Sequence, residues 1–338
     1  MPVSANDPCH ENAPTVGQEA ASARAEFRAR FSRVSNVRGL VDAGAYWASI
    51  LLIFSLAHAW GHWLGYALAV VLMAGLQHAL INLQHDAWHR LCFTSKRLND
   101  FVAAWLYAYS VGMPYYHERR RHLAHHRRVG HEDDPDWVNY TNEDRVPASR
   151  LWRFLVGRLC GSLLCDVAGS VLLRRQARVG DLEHPAREPS LLAEYFRVVV
   201  AQGVLLAGFA MLGSWWEYFV LWALPLATVT SACVSLRAFL EHAHPSDHPQ
   251  PEDRLYDFRP TWAERFFVSP CHFNYHALHH AFPTIPHGQL PRAHRDVPLN
   301  RVEYPGRQRG SYGRFMLSHL RGLAAAFERG GRANRRNS

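Results

Sequence analysis

Three short segments of this chain carry histidine at helical spacing. "HDAWH" holds His85 and His89, "HLAHH" holds His122, His125 and His126, and "HALHH" holds His276, His279 and His280. Eight of the chain's 22 histidines fall in these segments. Neutral imidazole is the commonest metal-ligating side chain, and residues i, i+3 and i+4 share one face of a helix. Each segment can therefore present two or three ring nitrogens to one side. Eight ligands exceed what one tetrahedral zinc takes. Divided between two metals they give about four each, a set that suits iron, copper and zinc alike. Protonated imidazoles repel one another, so bunching them is unfavourable unless a cation holds them together.

The clusters lie far apart in sequence, so the elements between them must bring them together. Residues 44–60 and 64–84 are apolar and uncharged, and 195–215 and 218–240 are strongly apolar. About 20 apolar residues cross the hydrocarbon layer. The pattern predicts an all-α integral membrane protein of two transmembrane hairpins, four spans in all, with a helical cytoplasmic cap carrying a histidine-rich di-metal site. The hairpin loops around His58–Trp63 and Gly213–Tyr218 contain no Lys or Arg, whereas the remaining segments hold almost all of them. By the positive-inside rule the termini and the 85–194 segment are cytoplasmic. Trp60, Trp63, Trp215 and Trp216 then sit at the outer interface. This topology places His85, His89, the other two clusters and Glu241-His242 on one side of the membrane.

The rest of the chain is divided as follows. Residues 1–21 are expected to be a disordered polar tail, 22–305 the membrane domain, and 306–338 a basic tail or surface helix. Within the domain, 22–40 reads as an amphipathic surface helix, 98–114 as a membrane-surface helix, and 150–175 as an interfacial or core helix.

Net charge is +8, carried by arginine; Lys96 is the single lysine. That ratio suggests a GC-rich bacterial genome, and with the four apolar spans the expected location is the bacterial inner membrane. The arginines are spread along the chain with no groove-reading motif, which argues against nucleic acid. A basic surface against anionic membrane lipid is the simpler use. Six cysteines form no CxxC pair, so they are read as reduced or buried. Residues 1–20 are polar, with no apolar core after a basic start, and are not expected to act as a cleavable signal peptide. A metal transporter or a haem-binding membrane protein is the rival of another class. It would place paired histidines within the spans, where this chain has only His78 at depth.

In their order and their relation to two membrane hairpins, HxxxH, HxxHH and HxxHH resemble the membrane fatty acid desaturase superfamily. The resemblance covers about residues 40–300, and "RRRHLAHHRRVGHEDDPDW" and "NYHALHHAFPTIP" resemble bacterial acyl desaturases closely. It implies an oxidoreductase with two iron ions, dioxygen as co-substrate, and an acyl or alkyl chain that gains a double bond at the cytoplasmic face. It carries ligand roles to His85, His89, His122, His125, His126, His276, His279 and His280. A ninth ligand at the inner end of the fourth span matches His242, with His244 its rival; Asn274 could act through a bound water.

Carboxylates commonly orient metal-bound imidazoles. Asp86, Glu118 and Glu241 are candidates. Asp133, Asp134 and Asp136 are read first as surface acids. His78, seven residues before His85 on the same face, is placed in the substrate tunnel, behind the ligands, or in a helix-packing hydrogen bond. His58 and His62 fall on the opposite side and are assigned no part in the site; His184, His287 and His294 are read as ordinary surface residues. A single ExxH, Glu241 to His244, excludes the soluble di-iron carboxylate pattern, which needs two. No HPGG-type haem segment, CxxC pair or GxGxxG fingerprint is present. The resemblance therefore implies a separate ferredoxin-like or cytochrome-type electron donor. A hydroxylase of the same superfamily, or a desaturase of a specialised metabolite, remains open.

The arginine asymmetry makes the topology testable. A C-terminal reporter that is active only outside the cytoplasm stays silent in a bacterial host, and activity there would reverse the predicted orientation.

Overall fold

The computed structural model describes residues 16–136, 156–162, 188–242, 255–298, 304, 306–318 and 320–321. Four helices are long and apolar enough to cross a membrane: α2 (Asn36–Trp60), α3 (Trp63–Trp88), α6 (Leu191–Leu212) and α7 (Trp215–His242). They are joined as two hairpins, and each starts or stops where the sequence offers a cap. Ser35 accepts the Arg38 N–H at the start of α2, and Gly61 ends it with φ 62°, a left-handed turn that glycine adopts without strain. Ser190 caps α6. Ser214 opens α7, its N–H donated to Glu217. The spans overrun the expected 44–60, 64–84, 195–215 and 218–240 mainly at the ends bearing the histidines.

Apolar side chains on the outside of these helices, among them Leu52, Leu56, Leu68, Val199 and Met211, face outward, as a lipid-facing surface requires. Polar residues inside the spans are tied down. Gln77 donates to the Trp222 carbonyl (2.9 Å), and Asn82 to the Pro270 carbonyl (2.8 Å). Between Phe219 and Thr230, around Pro225, α7 widens into two π-helical turns. Proline lacks the N–H that an α-helix needs at that position.

The shorter helices are α1 (Val16–Phe31), α4 (Lys96–Val102), α5 (Tyr115–Arg128), α8 (Trp262–Phe267), α9 (His276–Ala281) and α10 (Leu290–Asp296). One parallel pair of two-residue strands, β1 (Tyr256–Asp257) and β2 (Arg307–Gln308), is the sole sheet among the described residues. Helix α1 begins inside the 1–21 segment and ends at Phe31, short of the expected 22–40 range. Phe27 and Phe31 pack with Leu278, Phe282 and Ile285, so α1 covers the segment that carries the third histidine cluster.

The 98–114 stretch is helical with one face buried, while Leu98, Phe101 and Leu106 stay exposed. From α4 it continues as a π-turn, Ala103–Ala108, and a 3-10 turn, Tyr109–Val111. Ala103, Ala104, Tyr107, Ala108 and Tyr109 are buried. Gln202 of α6 and Trp222 of α7 donate to the Ser110 carbonyl, which draws the stretch into the bundle. Beyond residue 306, residues 312–318 form a surface helix anchored by buried Tyr312, which donates to Glu241 (3.1 Å). Of 150–175, residues 156–162 are described, and 156–159 are helical.

Glu194, buried in the first turn of α6, accepts two backbone donors at the start of α5: the N–H of Tyr116 (2.8 Å) and the N–H of His117 (2.9 Å). It thereby stops one end of the helix that carries three histidines. Glu194→Ala leaves these donors unpaired at about 1–3 kcal/mol each. Thermal unfolding in detergent is expected to show a clear loss of stability, with Glu194→Gln less affected because an acceptor oxygen remains.

Candidate metal centre

The bundle gathers nine histidines at one end. His85 lies in the last turn of α3, and His89 just beyond it. His122, His125 and His126 share a face of α5, and His242 is the last residue of α7. His276, His279 and His280 come from α9. The backbone around them is bent sharply. Arg90, Cys271 and His272 are the non-glycine residues with positive φ among those described. The first follows His89, and the other two precede the α9 segment.

The rings form two groups of four. The ligand atoms of His85, His122, His126 and His279 lie within 4.8 Å of one another, as do those of His125, His242, His276 and His280. His89 adjoins the first group, its Nε2 2.8 Å from that of His122. The groups touch where the rings of His126 and His280 stack at 4.1 Å. Nε2–Nε2 separations are 3.0 Å for His242 and His276 and 3.1 Å for His126 and His279.

The donor set fits metal ions. Burial, then repulsion between neighbouring imidazoles, pushes the pKa values of His122, His126, His276, His279 and His280 well below the ordinary value. Burial and the Arg119 charge bring His89 down to about 3. These rings are neutral near pH 7, the form that ligates. Converging lone pairs repel unless a proton or cation lies between them, and two such groups of imidazoles suit two cations.

A buried carboxylate holds the far side of one ring, and a second lies near another. His125 donates Nδ1–H to Asp134 (2.9 Å), leaving Nε2 for the site. Burial lowers the His125 pKa, but the Asp134 hydrogen bond and the Asp136 and Asp134 charges outweigh it, so the net shift is upward. His276 Nδ1 lies 3.4 Å from Glu241, which also meets Arg237 (3.3 Å) and Tyr312. Asp257 accepts the N–H groups of Ala277 and Leu278 and so caps α9; burial raises its pKa to about 8.

Several sequence expectations are sharpened or revised. Asp134 is a buried partner of His125 and not a surface acid. Asp133 pairs with Arg128 and Asp136 with Arg121. His287 is buried, donating to Asp42 (3.1 Å) through its ring and to Asp86 through its backbone N–H, so it is no surface residue. His78 donates to the Phe267 carbonyl (2.7 Å), the packing alternative. Asn274 spends its amide on the Phe258 carbonyl, with Oδ1 unpartnered. Glu118 lies 3.8 Å from Arg121. His58, at the opposite end of the bundle, bonds Glu217. His244 and His184 lie outside the described residues. Asp257 and Tyr312 went unnoticed in the sequence, since their partners come from remote segments.

The pattern of the fatty acid desaturase family matches residues 61–310. The chain belongs to the fatty acid desaturase family. This desaturase-family chain is also similar to a beta-carotene ketolase of Paracoccus sp. (strain PC1), 28% identical over 263 residues, which cover 73% of this chain and 90% of that protein. It is a membrane oxidoreductase of the desaturase and hydroxylase type.

The Asp134–His125 contact yields a direct test. Loss of a carboxylate behind a metal-bound imidazole commonly weakens binding about 10–100-fold. Asp134→Ala is expected to do so for one of two metals in a titration of the purified protein, leaving the other unchanged.

Proposed function

We propose that this chain is an oxygen-dependent desaturase that introduces a double bond into an acyl or alkyl chain at a histidine-held di-iron centre. The observation that carries this reading is the pair of adjoining four-imidazole groups at one end of an apolar helical bundle. His85, His89, His122, His126 and His279 would hold one iron, and His125, His242, His276 and His280 the other. Iron bound there would supply the dioxygen reduction that attack on an unactivated C–H bond requires. The protein's own part is positional. Asp134 orients His125, Glu241 places a carboxylate beside His276, Asp257 fixes the α9 helix, and Phe273 packs edge-on against His85 (4.6 Å) and helps to exclude water.

Desaturation takes two hydrogens from the substrate and, with dioxygen, two electrons and two protons, yields two waters. The electrons come from a separate ferredoxin-like or cytochrome-type donor. The arginine distribution supports a bacterial inner-membrane setting with the histidine end and termini in the cytoplasm.

Oxygen insertion is a second reading, favoured by the similarity to a beta-carotene ketolase. Both reactions begin with loss of one hydrogen. Turnover under labelled dioxygen separates them: a product two hydrogens lighter without label supports desaturation, and label in the product assigns oxygenation.

Purified active protein is expected to contain close to two irons per chain by metal analysis. His242→Ala and His279→Ala each lose activity and iron, whereas His58→Ala retains both. Full iron and activity in His242→Ala would remove His242 from the ligand set.

A further inference from the structure

Two cavities adjoin at the histidine end of the bundle, outside the two imidazole groups. One, of about 340 Å³, is lined by Arg33, Arg38, Asp42, Asp86, Tyr107 and Arg292, among others. The second, of about 660 Å³, is an apolar groove between α3 and the Trp262–His272 stretch. Arg38 and His287 line both. Along α3 the groove runs from Leu68 to Ala79, about 16 Å at 1.5 Å per residue. Leu68 and Val71 are 57% and 42% exposed, so this side opens toward lipid. Gly75 lets the wall close in: a Cβ there would overlap the Phe266 ring.

The polar cavity has unmet chemistry. Arg38 is paired with Asp42 (2.8 Å), but among the described residues Arg33 and Arg292 pair with no carboxylate. Asp86 Oδ2, His287 Nδ1 and the Tyr107 hydroxyl are buried without a hydrogen-bond partner. His287 Nε2 is spent on Asp42, which leaves its Nδ1 facing the cavity residues together with the Asp86 oxygen, an acceptor. Buried polar atoms left in this state are costly. An acceptor oxygen, an imidazole nitrogen and a hydroxyl suit a partner bearing hydroxyls, and the two exposed guanidiniums of Arg33 and Arg292 suit an anion.

We propose that these adjoining cavities bind one anionic phospholipid with a hydroxylated head group, from the leaflet at the histidine end, its head group and acyl chain lying on either side of Arg38 and His287. Its phosphate lies against Arg33 and Arg292, its head-group hydroxyls enter the polar cavity, and an acyl chain follows the groove. This site is distinct from the two imidazole groups, and its test reads binding, not turnover.

The test is thermal unfolding of the full chain, purified in detergent, with dioleoylphosphatidylglycerol, dioleoylphosphatidic acid, dioleoylphosphatidylcholine or oleate added. Phosphatidylglycerol is expected to raise the unfolding midpoint above the other three. Arg33→Gln/Arg292→Gln and the groove-filling Leu72→Trp each abolish that increment. Native mass spectrometry of the unmutated protein, with one phosphatidylglycerol retained, provides a measure that needs no variant. Equal midpoints with phosphatidylglycerol and phosphatidylcholine would overturn the anion site. Equality with phosphatidic acid would overturn the hydroxylated head group, and equality with oleate would overturn the phospholipid. An increment that survives in the arginine variant would place binding elsewhere.

Discussion

Nine imidazoles are held in contact, most of them buried and neutral, and the architecture follows from that constraint. Each ring has two nitrogens. Where one meets a carboxylate, as Nδ1 of His125 meets Asp134, the other is left as a lone pair facing the cluster. Lone pairs that converge without a cation repel. The scaffold must therefore resist their separation, and it does so with rigid elements: two spans ending at His85 and His242, and two helices, α5 and α9, laid across those ends.

Those two helices are the parts least able to stand alone. Helix α9 has six residues, below the length at which an isolated helix persists in water. Asp257 accepts two of its first N–H groups, and α1 covers its apolar side with Phe27 and Phe31. Helix α5 is strongly basic, and Glu194 reaches from α6 to take two of its unpaired N–H groups. In both cases a carboxylate from a remote segment satisfies the end of a ligand-bearing helix.

The spans add a second constraint. A polar group facing hydrocarbon has no water to turn to. Gln77, His78 and Asn82 on α3 each find a backbone carbonyl on α7 or on the 267–270 stretch, and Arg237 of α7 meets Glu241 and Asn82. These links tie the spans to the segment that leads into α9. The polar side chains that look expensive in a membrane helix are the ones that set the position of the third histidine cluster.

Much of this was legible in the residue order because it depends on periodicity and composition. Long uncharged runs mark the spans, since length and polarity alone decide whether a helix can cross a bilayer. Histidines at i, i+3 and i+4 mark ligand faces, since helix geometry alone aligns them. What the sequence could not assign was pairing at a distance. Nothing in "HEDDPDW" distinguishes Asp134 from Asp133 and Asp136, because the turn after α5 decides which carboxylate is carried back to His125. His287 looks like any histidine in a polar loop until Asp42 and Asp86 arrive from α2 and α3. The 98–114 stretch has the composition of a surface helix, and Gln202 and Trp222 decide which of its faces is buried by drawing its carbonyls inward. Local pattern determines which elements form and which face bears the ligands; the partition of nine imidazoles into two groups is decided by how four remote segments meet.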